Sequence, residues 1–280
     1  MHRTKMFSYI MLFLMVFSIL IPIPVTHAAS VDNILNTVAA STINNTGSTH
    51  NGLLGQLFDL LFNKILGPIF NSTSKSSTNN PVKPSPSTNG SGILKNKVIV
   101  VDPGHGGSNP GAVANNTREA DNNLAVGLKL RDYLVQAGAK VIMTRDTDRT
   151  VASEGSSLGE ELRARVNLAE TNHADIFVSI HSNENSDSNI AGAMTFYPSG
   201  KSDALASEVE RAIISGTGAI DKGSSSATFY VLRNTSMPST LVEMGFVSNK
   251  DEAARLASDS YRNNMAQGIF NGIVNYFNNH

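Results

Sequence analysis

The feature that most constrains this 280-residue chain is an alternation that begins near Ile93 and runs to the carboxyl terminus. Short β-branched runs (KNKVIVVD, AKVIMTR, ADIFVSIHSN, STLVEMGF) alternate with longer helical patterns (ADNNLAVGLKLRDYLVQAG, LGEELRARVNLAETNH, SDALASEVERAIISGTG and DEAARLASDSYRNNMAQGIFNGIVNYFNN). AGAMTFYP reads as a further, shorter strand suited to an edge. The apolar side of the first helix is expected to carry Leu124, Leu128 and Leu134, with Gly138 closing it. Strand and helix at this spacing predict an α/β domain: a twisted, mostly parallel central sheet with helices on both faces.

Upstream, the chain changes character. Residues 1–28 have a basic start (His2, Arg3, Lys5), an apolar stretch from Phe7 to Ile23 and a small-residue close, Thr26-His27-Ala28. That is an export signal. At 17 residues this stretch nearly spans a bilayer, so retention as an anchor is the alternative. Either way the remainder is expected outside the cytoplasmic membrane, secreted or wall-associated. Residues 29–70 include a stretch, 51–70, in which Leu53, Leu57, Leu61, Ile65 and Ile69 recur every four residues. This amphipathic helix needs a cover, and a membrane surface or protein partner suits it better than folding back over the domain. Residues 71–92 are Ser-, Thr-, Asn- and Pro-rich and read as a flexible linker. The domain proper is 93–280, and nothing in the sequence sets its oligomeric state.

There is no cysteine, which excludes disulfides, thiol catalysis and Cys-ligated metal. A net charge of −1 without a basic cluster argues against a nucleic-acid partner.

Three strands end on polar or ionisable groups. VIVVD runs into the glycine-rich turn that carries His105, DIFVSI runs into His181, and TLVE carries Glu243. Parallel strands bring their carboxyl ends to one edge of a sheet, where α/β proteins place their chemistry. Glu119 opens the helix that follows the first strand and belongs to the same edge. Two imidazoles and one carboxylate around an open position suit a catalytic zinc, and a second carboxylate could carry the proton. Spacing alone does not say which glutamate is the ligand. No HExxH signature is present. Glu243 is the strongest anomaly, because a carboxylate within STLVEMGFV is costly without a partner.

The stretches VIVVDPGHGG, READNNLAVGLKLRDYL, VIMTRDTD, LRARVNLAE, ADIFVSIHSN and FYVLRNTSMPSTLVEMGFVSN, in that order, closely resemble the zinc-dependent N-acetylmuramoyl-L-alanine amidases of bacterial cell walls, the amidase-3 type. The resemblance implies one zinc ion held by His105, Glu119 and His181, with Glu243 as the catalytic carboxylate. It implies peptidoglycan as substrate and, as the bond cut, the amide between the lactyl group of N-acetylmuramic acid and L-alanine. Asn183 and Arg233 are further candidates for substrate contact. The alternatives are another zinc-dependent peptidase or deacetylase acting on wall material, and a non-enzymatic wall-binding domain. Two positions depart from the family's usual pattern: Ala120 stands between Glu119 and Asp121 where a lysine is common, and Glu170 follows Ala169 where an asparagine is common. The connections around the expected site, SNENSDSNIAG and TVASEGSS, are too short for a long blocking helix, so an open cleft is expected.

Overall fold

A computed structural model describes Gly92 and residues 94–280. The segments expected to be an export signal (1–28), an amphipathic helix (51–70) and, but for Gly92, a linker (71–92) lie outside the described residues, as does Ile93. No described helix is long and apolar enough to cross a membrane.

The described chain runs β1 (Val98–Pro103), β2 (Val113–Ala114), β3 (Thr117–Arg118), α1 (Glu119–Gln136), β4 (Lys140–Met143), α2 (Leu158–Thr171), β5 (Ile176–Asn183), β6 (Ala193–Pro198), α3 (Ala204–Thr217), β7 (Asp221–Ala227), α4 (Tyr230–Arg233), β8 (Ser239–Phe246), α5 (Lys250–Ala257) and α6 (Asp259–Asn279). Six strands form one sheet in the order β4-β1-β5-β8-β6-β7. β4, β1, β5 and β8 are mutually parallel; β6 is antiparallel to β8 and parallel to β7. β2 and β3 form a separate small hairpin.

The two faces follow the period-2 rule of a strand. Ile99 and Val101 point into one core with Val126, Leu130 and Leu134 of α1, Val209 and Ile213 of α3, and Met265, Ile269 and Ile273 of α6. Val100, between them, points into the other with Val166 and Ala169 of α2, Phe177, Phe196, Leu241, and Val231 and Leu232 of α4. The mostly parallel sheet with helices on both faces is therefore as the alternation requires.

Three local expectations change. β6 is not at the edge: β7 lies outside it. The sequence of β7, DKGSSSA, has no apolar alternation, so periodicity could not reveal it. In α1 the buried residues are Glu119, Ala120, Asn122, Asn123, Val126, Gly127, Leu130 and Leu134, while Leu124 and Leu128 are only half-buried. The rotation turns Glu119 and Asn123, one turn apart, toward the sheet edge. Finally, Ala137 is the C-cap of α1, with Gly138 just beyond it at φ +91°. α2 begins with a capping box, in which Ser157 accepts from the Glu160 N–H and the Glu160 side chain accepts in return from the Ser157 N–H.

Candidate metal centre and proton carrier

The turn after β1 supplies the first group. β1 is a central strand, and at Gly104 the chain leaves it after one last sheet-like bond, Gly104 N–H to the Ile180 carbonyl. His105 takes a left-handed conformation, φ +62°, which only a few per cent of non-glycine residues adopt. Its ring is then steered from the side: Nδ1 lies 3.1 Å from Asn109 Oδ1, and Nε2 lies 3.2 Å from Glu119 Oε1.

Glu119 is the first residue of α1 and is buried. Its Oε1 also lies 2.8 Å from His181 Nδ1 and accepts from the Ser182 N–H, while Oε2 accepts from the Ala112 N–H. Burial alone would raise its pKa; the two imidazoles hold it well below the usual carboxylate range. His181 is the penultimate residue but one of β5, and burial draws its pKa down, favouring the neutral ring that ligates metals.

Candidate donor atoms of His105, Glu119 and His181 lie within 4.8 Å of one another, the one such grouping among the described residues. Two donors bound tetrahedrally to zinc stand about 3.3 Å apart. The observed separations of 3.2 and 2.8 Å from Glu119 Oε1 to the two imidazole nitrogens are within a small adjustment of that. Glycines make the room. A methyl group on Gly104 would overlap the His181 ring, and one on Gly111 would press on Glu119 Oε2 and His105 Cδ2. The residues present therefore fit a zinc-sized cation with N and O ligands.

Glu243 sits beside this group. It pairs in register with His181 across β5 and β8. It is buried, and its Oε2 has no hydrogen-bond partner in the protein. Burial first, and then the charge on Glu119, push its carboxyl well above the ordinary range. A buried, unpartnered acid next to an ionised one is costly in a purely structural site, and a divalent cation between them would offset that repulsion.

Asn183 closes β5 but turns inward, its Oδ1 accepting from the Glu184 N–H and its carbonyl from Val247. Arg233 ends α4, exposed, with its guanidinium 5.7 Å from the Tyr230 ring centroid. None of these contacts reaches the His105–Glu119–His181 group. Ala120 is buried, and Glu170 binds the Ser236 N–H and hydroxyl, fastening α2 to the segment before β8. The supports Asn109, Asn123 and Ser182 went unread in the sequence. Each is an ordinary polar residue whose relevance depends on which backbone it faces.

The fold and the donor set together define an α/β protein with a candidate metal centre at the carboxyl edge of its parallel strands. Residues 99–275 match the family model described as N-acetylmuramoyl-L-alanine amidase. The chain is 35% identical over 195 residues to the germination-specific N-acetylmuramoyl-L-alanine amidase of Bacillus subtilis, covering 66% of this chain and 81% of that one. Among solved structures it is similar to the catalytic domain of CwlV, an N-acetylmuramoyl-L-alanine amidase from Bacillus (Paenibacillus) polymyxa, at 37% identity and TM-score 0.60, covering 65% of this chain and 98% of that one. It is also similar to the CwlD amidase of Clostridioides difficile, solved in complex with the GerS lipoprotein, at 34% identity and TM-score 0.63, covering 65% and 99%. The chain belongs to the N-acetylmuramoyl-L-alanine amidase family.

Proposed function

We propose that this enzyme hydrolyses the amide between the lactyl group of N-acetylmuramic acid and the L-alanine of the peptidoglycan stem peptide, with His105, Glu119 and His181 holding one zinc ion and Glu243 carrying the proton. A zinc ion bound there supplies Lewis acidity, which polarises a carbonyl and acidifies water. Glu243 accepts a proton as water oxygen attacks the carbonyl carbon. It then delivers that proton to the alanine nitrogen as the C–N bond breaks, so that the products are a carboxylic acid and a free amine. The buried backbone around Gly104 and the Glu119 carboxylate keep the two imidazoles in place. Asn183 and Arg233 act at the substrate only if it reaches beyond the edge where the four groups meet.

The observation that carries this reading is the position of Glu243: buried, lacking a partner at Oε2, and in register with His181. A binding-only domain has no use for such a group. The export signal over 1–28 and the linker over 71–92 accord with work on the wall outside the cytoplasmic membrane, and the 51–70 segment with attachment to a membrane surface or partner protein. The test is product analysis on purified peptidoglycan. New amino-terminal L-alanine without new reducing sugar, abolished by chelator and restored by zinc, is expected. New amino groups from within the stem peptide, or free acetate, would assign a peptidase or a deacetylase instead.

A further inference from the structure

Arg145, in the stretch VIMTRDTD, is the largest fully buried side chain among the described residues, and no carboxylate is bonded to it. Its guanidinium donates to four backbone carbonyls: Nε to Pro103 (2.9 Å), Nη1 to Thr147 (3.1 Å), and Nη2 to both Gly104 (2.9 Å) and Ala120 (2.8 Å). Burial and the neighbouring charge of Arg165 lower its pKa only to about 10, so it stays charged at neutral pH.

The last two acceptors matter most. Gly104 immediately precedes His105, and Ala120 immediately follows Glu119. These two residues are separated in the chain by the β2–β3 hairpin and meet only in space. One nitrogen, with a hydrogen for each carbonyl, therefore ties together the two segments that bring His105 Nε2 and Glu119 Oε1 to 3.2 Å. The loop is shaped around this side chain: a methyl on Gly106, at φ +123°, would press on Arg145 Cδ and Nε and on the Arg149 carbonyl. Asn123 adds a longer bond, 3.3 Å, to the same Gly104 carbonyl. Only a planar fork reaches four carbonyls at once; an ammonium is a single point with three donors.

We infer that Arg145 is a positioning residue that sets the spacing of His105 and Glu119 and thereby the metal affinity of the site. The inference rests on the zinc reading above. Partners that orient metal ligands typically account for 10–100-fold in affinity.

The test uses the full chain and three measurements on Arg145→Lys: thermal unfolding of the metal-free protein, the zinc dissociation constant by competition with a chromophoric chelator, and kcat and KM at saturating zinc. Zinc affinity is expected to fall ~10–100-fold with KM within about twofold of the parent. Leu134→Ala is the comparator, in the core some 15 residues along α1 and so about 22 Å away. It should lower the unfolding midpoint while leaving zinc affinity within twofold. Unchanged affinity in Arg145→Lys, or an equal loss in Leu134→Ala, overturns the inference. Should Arg145→Lys fail to fold, the unsubstituted chain labelled with 15N-arginine decides: zinc should slow hydrogen exchange at the Arg145 Nη2 protons, and no slowing overturns it. A parent chain that binds no zinc removes the metal reading itself, and this inference with it.

Discussion

His181 and Glu243 stand opposite each other in register on the adjacent parallel strands β5 and β8. Their side chains fall on the same alternation as Phe177 and Leu241, which lower down the strands pack in the α2-side core. At the carboxyl edge, where helix cover ends, the same alternation delivers an imidazole and a carboxyl to one spot. The pleat of the sheet thus sets which glutamate lies beside the candidate metal centre without belonging to the donor group, and it makes the two carboxylates separable by experiment.

We predict that Glu243→Gln, which keeps the shape and removes the base, retains about one zinc per chain while turnover falls by ~10²–10⁴. Glu119→Gln should instead lose zinc. Metal analysis alongside single-substrate kinetics checks both, and the opposite pattern would exchange the roles of the two carboxylates.

Gly104→Ala is expected to be more damaging to the metal than to the fold. Gly104 is not at positive φ, so alanine suits its backbone, but the added methyl meets the His181 ring. Zinc affinity should drop at least ~10-fold, the scale of a displaced ligand orientation. An unchanged chelator-competition curve would show that the His181 ring is placed differently from this structure.

Removal of zinc should not unfold the domain. Two large apolar cores flank the sheet, and the buried Asp102–Arg165 pair beneath the site (2.7 Å) is independent of the metal. Its geometry is well satisfied: Asp102 also accepts from Thr144 and Ser179, and Arg165 also binds the Pro103 and His105 carbonyls and Glu161. Chelated protein is expected to keep a single cooperative melting transition at a lower midpoint. Loss of that transition would make zinc a structural staple.

Glu210, far from this chemistry in sequence and buried on α3, predicts a pH effect on stability. Burial, and then the nearby charge of Asp221, raise its pKa to about 8. The native state therefore holds a proton that the unfolded chain gives up near pH 4–5. This group disfavours folding increasingly as pH rises from there to about 8, after which the effect levels off. Glu210→Gln should be nearly neutral at pH 4 and stabilising at pH 8, on the order of 1–4 kcal/mol. Chemical denaturation at the two pH values checks this; a gain independent of pH would mean that the carboxyl is not titrating in the folded protein.

The fold and the site were legible in the sequence to different depths. Val98–Val101, Ile176–Ile180 and Leu241–Val242 are apolar runs whose length and branching admit little but a buried strand, and the helices between them force a parallel sheet. Those local patterns determine that His105, His181 and Glu243 reach one edge, because parallel strands share a direction. The family resemblance lies in the same stretches, and residues 99–275 match it. Tertiary structure alone decided the rest. β7 is a strand because β6 offers it a free edge, not because DKGSSSA favours one. The rotation of α1 follows from Glu119 and Asn123 facing the edge rather than from the leucine spacing. The support of the site by Arg145, Asn109 and Ser182 consists of bonds between residues 4 to 63 positions apart in the chain, most of them to backbone carbonyls or amides. Such bonds leave no trace in residue type, since every residue carries the same backbone groups. Which carbonyl a guanidinium meets is fixed only when the chain has folded.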